Sequence, residues 1–345
     1  MNIQTVSFNG LSFVNVTNPH ELEIKDLKRN FGFNPLDLED YTHRTQIPKI
    51  ETFKDYSLVV LDFPFFKQNG NHVNSNGQEK ADRTTLSRLL NISHATLSSI
   101  PIFQFSLPEK RRIITSHVNL FIGKEYLVVL HEGVLSPINE IFSLCQKTLG
   151  NRNKFMGQGA VFLAYKIIDA LVDSCFPVIN ELIVMIEKID QEIENKKSQT
   201  ALEEISVTRR NIVFLQTMIK PSMPLFKQLE EGKHKTLNGD MLPYWSNILD
   251  HLMKIGHRLE DSRELIEGIA QSNDWLIASK TNQIIKVLTI FSAIVLPLNL
   301  VASIYGMNIQ GLPYAQGNSS FVILLTIMFI IGGGMLFVFR LKRWF

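Results

Sequence analysis

Two stretches late in the chain decide the architecture: VLTIFSAIVLPLNLVASIY at residues 287–305 and FVILLTIMFIIGGGMLFVF at residues 321–339. Neither carries a charge, and each approaches the ~20 apolar residues that a helix needs to cross ~30 Å of hydrocarbon. Thr326 is the only polar side chain of the second stretch, and Gly332, Gly333 and Gly334 are of the kind that lets membrane helices pack closely. The intervening segment 306–320 is uncharged, whereas Lys280 and Lys286 precede the first stretch and Arg340, Lys342 and Arg343 follow the second. Positive charge stays on the cytoplasmic side. The expectation is a multi-pass protein of a cell (inner) membrane, with an external loop at 306–320 and both termini cytoplasmic. The tail 340–345 is basic and ends in Trp344 and Phe345, which suit the interface.

Working outward, the averages conceal this asymmetry. The 345 residues are 45% apolar and 20% charged, yet every Asp and Glu lies before Trp275. A net charge of +2 gives no electrostatic footprint for nucleic acid as a partner. Two cysteines, Cys145 and Cys175, are too few for a disulfide framework. The start MNIQTVSFNG has neither a basic segment nor an apolar run, so no cleaved signal peptide is expected. The histidines are dispersed, with His251 and His257 on different helix faces, and there is no phosphate loop, Cys pair or nucleophile elbow. The composition therefore argues against an enzyme and against a resident cofactor.

The first span is not uniformly apolar. Its hydrogen-bonding side chains are Thr289, Ser292, Asn299 and Ser303; at 100° per residue they fall within an arc of about 80°. The same spacing adds Asn282, Ile285 and Leu296. Polar groups that persist at membrane depth face other helices or water. One reading is that the hydroxyls bond their own helix carbonyls and Asn299 joins two helices; the other is that several copies turn the stripe toward a shared aqueous path. Two helices cannot enclose a channel, so the second reading demands an oligomer. With no Asp, Glu, His or Cys, the stripe suits an ion that keeps its water, as Mg2+ does. A zinc-stripping site would require imidazole or thiolate.

Tyr305-Gly306-Met307-Asn308 closes the first span, after Asn282-Gln-Ile-Ile-Lys-Val-Leu-Thr289 and Pro297. In this position the motif resembles that of the CorA-type family of divalent cation transporters. The N-terminal segments Asn34–Asp40, Ile47–Glu51, Tyr56–Leu61 and Val118–Leu130 are similar to that family's cytoplasmic domain. The resemblance implies a funnel-shaped homopentamer in a lipid bilayer, passing Mg2+ and often Co2+ or Ni2+ without ATP. It implies that Asn308 forms a ring of carboxamides meeting the hydrated ion, and that Asn282, Ile285, Leu288, Leu296, Asn299 and Ser303 face the pore. Its magnesium branch commonly has an acidic Met-Pro-Glu-Leu segment in the external loop. Here that loop reads Ile309-Gln-Gly-Leu-Pro-Tyr314, and Asn308-x-x-Gly311-x-Pro313 looks more like the zinc-transporting branch. A zinc transporter of the same fold, proton-coupled, is therefore the alternative. A two-helix anchor for a cytoplasmic sensor would not need the stripe.

Residues 1–240 are expected to form an α+β cytoplasmic domain, a mixed sheet with helices. Leu58–Phe66, Val118–Ile122 and Tyr126–Leu130 read as strands by their β-branched and aromatic content. Asn18-Pro19 and Asn34-Pro35 read as helix starts, and Lys67–Lys80 as an exposed loop. Residues 157–230 read as an antiparallel helix pair broken near Lys196–Thr200. Its tip holds Glu187, Asp190, Glu192 and Glu194, a solvated face or a partner for a basic collar of Lys280, Arg340, Lys342 and Arg343. Residues 241–286 continue as a cytoplasmic stalk helix. From Tyr244 to Tyr305 one helix of about 90 Å is expected, with Ile248, Leu252, Ile255, Leu259, Ser262, Ile266, Ile269, Asn273 and Leu276 at heptad spacing. The physical expectation is a helix bundle continuing the pore inward.

The resemblance also implies a regulatory metal site on the stalk, at Asn247 with Asp250 nearby, where the family commonly has an Asp in place of Asn247. A neutral carboxamide is a poor ligand for a hard cation without carboxylate help. Asn247→Asp is accordingly expected to lower the cytoplasmic Mg2+ concentration that inhibits flux, measured with liposomes at graded Mg2+; unchanged inhibition would remove this reading.

Overall fold

The computed structural model describes residues 2–43, 47–66, 112–194, 198–307, 320–342 and 344. The chain divides into two compact units, Met1–Gly268 and Ile269–Phe345. The expected loop at Lys67–Lys80 lies outside the described residues.

The first unit is built on a six-stranded sheet of order β1-β2-β6-β5-β4-β3. The strands are β1 (Ile3–Phe8), β2 (Leu11–Thr17), β3 (Lys49–Thr52), β4 (Tyr56–Phe66), β5 (Ile113–Gly123) and β6 (Tyr126–His131). All neighbours pair antiparallel except β2 and β6, which are parallel, so the sheet is mixed as expected. The three strands read from sequence are β4, β5 and β6, each longer at one or both ends. The β1–β2 hairpin, absent from the strands expected above, turns on Asn9-Gly10, with φ of 47° and 82°. Positive φ at both central residues gives the backbone twist that a two-residue hairpin loop needs.

Helices α1 (Glu21–Phe31) and α2 (Pro35–His43) cover one face of the sheet. The core there joins Val14, Val16, Leu27, Phe33, Leu38, Leu58, Val60, Phe121, Val128 and Leu130. Phe33 stacks on Phe121 at 4.3 Å between ring centres. Asn34 begins α2 as expected, its Oδ1 accepting from Leu36 N at 3.1 Å with Pro35 first in the helix. Asn18-Pro19 does not begin α1. Asn18 sits at φ 47° and the N-cap is His20, whose N–H donates to Glu23 in a capping box. A reciprocal cap satisfies two of the free amides at a helix start, and it outweighs the preference of proline for the first turn.

The opposite face packs on α3 (Ser136–Lys147), α4 (Leu149–Met156) and α5 (Ala160–Asp173). Phe13 meets Phe142 edge-on at 5.1 Å. Further along the chain come α6 (Cys175–Glu194), α7 (Ser198–Ile219) and α8 (Ser222–Glu230). Residues 157–230 thus form four helices and not the expected pair, because the chain also breaks at Ser174 and at Lys220-Pro221. A proline lacks the N–H that would continue the helix.

Next comes α9 (Leu242–Gly306), a single helix of 65 residues. Trp245 anchors its start: the indole is 1% exposed and donates to Leu237 O at 2.9 Å. The heptad positions Ile248, Leu252, Ile255, Leu259, Ser262 and Ile266 are all buried within the single chain. Contacts of this helix with α5, α6, α7 and α8 surround them: Trp245 with Tyr165 and Phe226, Arg258 with Asn180, and Glu260 with Gln216. The seam from Ile248 to Ile266 is therefore spent on the same chain. Copies meeting along this helix must use other positions. Burial of each of these large aliphatic side chains contributes about 1.5–3 kcal/mol.

His131 is wholly buried at the end of β6. Its Nδ1 accepts from Gly133 N at 3.1 Å, so Nε2 carries the proton and donates to Asn15 Oδ1 at 2.9 Å. Burial pushes its pKa down to about 4. Protonation would also cost the Gly133 bond. Because the folded pKa lies below the unfolded value of about 6.5, this stability is complete above that value and is lost as pH falls toward 4. The loss reaches about 2 kcal/mol at pH 5. Thermal unfolding of the solubilised full-length protein is expected to be less stable at pH 5 than at pH 7.5, and His131→Asn should flatten that dependence while lowering stability at pH 7.5.

Candidate pore-lining face

The second unit contains the remainder of α9 and α10 (Ser320–Leu341), both long and apolar enough to cross a membrane. Where they pack, α9 offers Ile290, which is 5% exposed, and half-buried Ile294, Pro297, Leu298, Val301 and Tyr305. Ile285, Leu288, Thr289, Leu296, Asn299 and Ser303 stand exposed, as does Asn282 below them. Ser292 is half-buried. At 100° per residue the covered and open faces are centred about 170° apart. The second span thus takes the side of α9 opposite the polar stripe and leaves the stripe open in a single chain.

The hydroxyls differ in how they are satisfied. Thr289 donates to Ile285 O at 2.7 Å, and Thr326 in α10 donates to Val322 O at 2.8 Å. Each bonds its own helix, although each oxygen can still accept. Among the described residues no hydrogen bond engages the side chain of Asn299 or Ser303. A carboxamide and a hydroxyl left open at membrane depth are costly in lipid, so water or another copy must meet them. Pro297 adds a further polar group, since without its N–H the Ala293 carbonyl loses its helical partner.

Of the glycine run, Gly332 alone approaches α9: a Cβ there would lie 3.8 Å from Leu298 Cδ1, and one at Gly333 or Gly334 would meet nothing. Ordinary van der Waals separation at one position and open space at two mean that close packing within the chain does not require these glycines.

The helix ends with Tyr305 half-buried and Gly306 and Met307 exposed; Asn308, the loop 309–314 and Arg343 lie outside the described residues. Lys280, Arg340 and Lys342 are exposed, and Trp344 folds back to stack on Phe339 at 5.6 Å. Glu187 and Asp190 are exposed, and Glu192 lies 3.9 Å from Lys188 one turn away.

On the stalk, Asn247 Nδ2 donates to Asp169 Oδ1 at 3.2 Å, while Asp250 is exposed and joins no such contact. The carboxylates and imidazole that do converge are Asp169, Asp173 and His251. Sequence reading missed them because they come from two distant segments. The available signal was a pair of four-residue spacings, Asp169/Asp173 and Asn247/His251, each placing its members on one helix face.

The family described as "CorA-like Mg2+ transporter protein" matches residues 8–79 and 82–343. The cobalt/magnesium transport protein CorA of Thermotoga maritima is 24% identical over 335 residues, spanning 96% of this chain and 83% of that protein. The zinc transport protein ZntB of Pectobacterium atrosepticum is 21% identical over 230 residues, 66% of this chain and 67% of the relative. In structure, the complete CorA magnesium transporter of Methanocaldococcus jannaschii aligns with a TM-score of 0.77 at 18% identity, covering 99% of this chain and 94% of the other.

The two native thiols suit an accessibility test, because burial pushes Cys145 up to about 11 and Cys175 up to about 12, leaving both inert at neutral pH. Cysteine placed at Asn299 or Ser303 is expected to react with a charged, membrane-impermeant thiol reagent. Cysteine at Ile294 or Leu298 should stay unlabelled, and equal labelling of both sets would refute the two-faced arrangement.

Proposed function

Because the chain belongs to the CorA-like Mg2+ transporter family, we propose that it conducts Mg2+ across a membrane as a hydrated ion, through a homopentameric pore lined by one α9 from each copy. Divalent-cation transport is the activity that the family carries; the ion, the subunit number and the orientation are the steps taken here. The single observation that carries a pore shared between copies is the open stripe. Asn282, Thr289, Asn299 and Ser303 lie on the face of α9 that α10 leaves uncovered, and the described residues of one chain hold two helices able to span a membrane. Several copies are needed to give those groups a common aqueous axis.

The donor chemistry supports retained hydration. Hydroxyls and carboxamides form hydrogen bonds to water as readily as to an ion, and no carboxylate, imidazole or thiolate stands in either span. Mg2+ holds an octahedral shell tightly and is met through its waters. Asn308 at the external mouth, in Tyr305-Gly306-Met307-Asn308, is assigned the first contact with that shell. The basic residues Lys280, Arg340, Lys342 and Arg343 mark the cytoplasmic side, so both termini are assigned there. Asn247 and Asp250 stand in this reading as the stalk's own contribution to regulation, with Asn247 tethered to Asp169.

A second reading is zinc transport, favoured by the neutral loop Ile309–Tyr314 and by the relative named for zinc. Reconstituted liposomes separate the two, with Mg2+ and Zn2+ uptake measured with and without a pH gradient. Mg2+ flux independent of the gradient is expected. Asn308→Ala should cut it by at least about tenfold, equivalent to about 1.4 kcal/mol, and Asn308→Asp should change the order of ion preference. Selective flux retained in both variants would overturn the assigned entrance.

A further inference from the structure

Four exposed cations gather at one end of the second unit, Lys280 and Lys286 on α9 and Arg340 and Lys342 on α10. Their depth follows from the packing of the two helices. The uncharged segment between the spans stays on one side of the membrane, so the spans run in opposite directions, and Gly332 meets Leu298. Eight residues beyond Gly332, Arg340 reaches the level of Ile290, eight before Leu298; two residues further, Lys342 reaches that of Leu288. Lys286 follows within about 3 Å, and Lys280 about 9 Å beyond it. At 100° per residue Lys280 and Lys286 stand about 50° and 70° from the centre of the face that α10 covers, and more than about 90° from the centre of the polar stripe. The cations of both helices therefore flank the seam between them and lie away from the stripe.

Two further features point to a ligand. No Asp or Glu follows Asp274, so nothing from Lys280 onward carries a compensating negative side chain. Among the described residues none of the four cations joins an ion pair, and Arg343 adds a fifth positive charge to the same tail. Trp344 turns back on the last turn of α10, its backbone N–H donating to Phe339 O at 2.9 Å and its indole stacking on Phe339 at 5.6 Å. Indoles settle at the headgroup level of a bilayer, so the ring and the cations share the boundary between hydrocarbon and headgroups. Like charges gathered there repel one another, the more so with a medium of low dielectric on one side. An anion at the same depth would remove that cost.

We propose that Lys286, Arg340 and Lys342 bind the headgroup of an anionic phospholipid such as phosphatidylglycerol, with Lys280 at the rim. The partner follows from charge and depth. A lipid phosphodiester stands at the hydrocarbon boundary, level with the first turn of the first span. Arginine pairs with it in a bidentate fork, and lysine supplies point charges. A zwitterionic headgroup has the same phosphate but brings its own ammonium, so net negative charge decides the preference. Basic clusters beside membrane helices select anionic lipid on this ground. A lipid held by cations of both helices ties α10 to α9 on the side away from the stripe. The inference rests on both helices crossing the bilayer and is independent of the ion that passes.

The test uses full-length protein in detergent, stripped of lipid and returned to phosphatidylglycerol or phosphatidylcholine, with bound lipids counted by native mass spectrometry. Phosphatidylglycerol is expected to be held at least about tenfold more tightly than phosphatidylcholine and to raise the melting temperature. The double variant Arg340→Gln/Lys342→Gln should lose most of that preference and Lys286→Gln part of it, while the charge-keeping exchange Arg340→Lys/Lys342→Arg should retain it. Melting of the double variant in phosphatidylcholine should match that of the parent and so separate lost lipid binding from lost folding. The preference should persist in millimolar inorganic phosphate and in Glu187→Gln/Asp190→Asn. Equal retention of the two lipids, a preference unchanged in the double variant, displacement by inorganic phosphate, or loss confined to Glu187→Gln/Asp190→Asn would each overturn the assignment.

Discussion

Hydrocarbon offers no water, so each polar group carried to membrane depth must find its partner in protein or in an enclosed aqueous space. That constraint turns the arrangement of Asn299 and Ser303 into an argument about assembly. A helix pair has one interface, and here α10 occupies the side of α9 built from Ile290, Ile294, Leu298 and Val301. Had the second span covered the stripe, Asn299 would read as a rivet between two helices and one copy would be self-sufficient in lipid. The opposite arrangement leaves the chain incomplete by itself.

The same long helix meets two different solvents along its length, and its sequence changes accordingly. Over Ile248–Ile266 the apolar positions are buried by the chain's own helices, with ion pairs such as Arg263 to Glu260 at 2.6 Å on the wet side. Such an exposed pair contributes little to stability; the aliphatic seam holds the turn in place. Beyond Lys286 the pattern inverts. The exposed surface is apolar and the narrow polar arc is what remains to be covered. A heptad repeat and a polar stripe on one helix are thus separate devices, one closing a subunit and the other requiring several.

This division explains what could be read from sequence. The two spans, the stripe and strands β4 to β6 were legible because each is a run of one periodicity with a strong burial preference. Asn34-Pro35 was legible because a cap is local. Asn18-Pro19 failed for a reason equally local, the competing box of His20 and Glu23, three residues apart. The β1–β2 hairpin was announced by Asn9-Gly10 and passed over, a turn signal in plain view. The heptad seam was recognised and its partner was not, since period alone does not say whether an apolar stripe meets a copy of itself or α5 to α8. The Asp169, Asp173 and His251 cluster was invisible for the same reason. Each half is an ordinary four-residue spacing, and only the packing of α5 on α9 brings the halves together.

The chemistry of the stripe bears on what kind of ion it suits. Along the stripe the groups are neutral and open. Their field is weak, which suits an ion that must enter and leave quickly and discourages one that demands dehydration. The bilayer excludes isolated carboxylates from the spans at a cost of several kcal/mol, while the sheet-bearing unit can keep them beside Lys166 and solvent. Strong ligands are therefore confined to the part of α9 that precedes the first span.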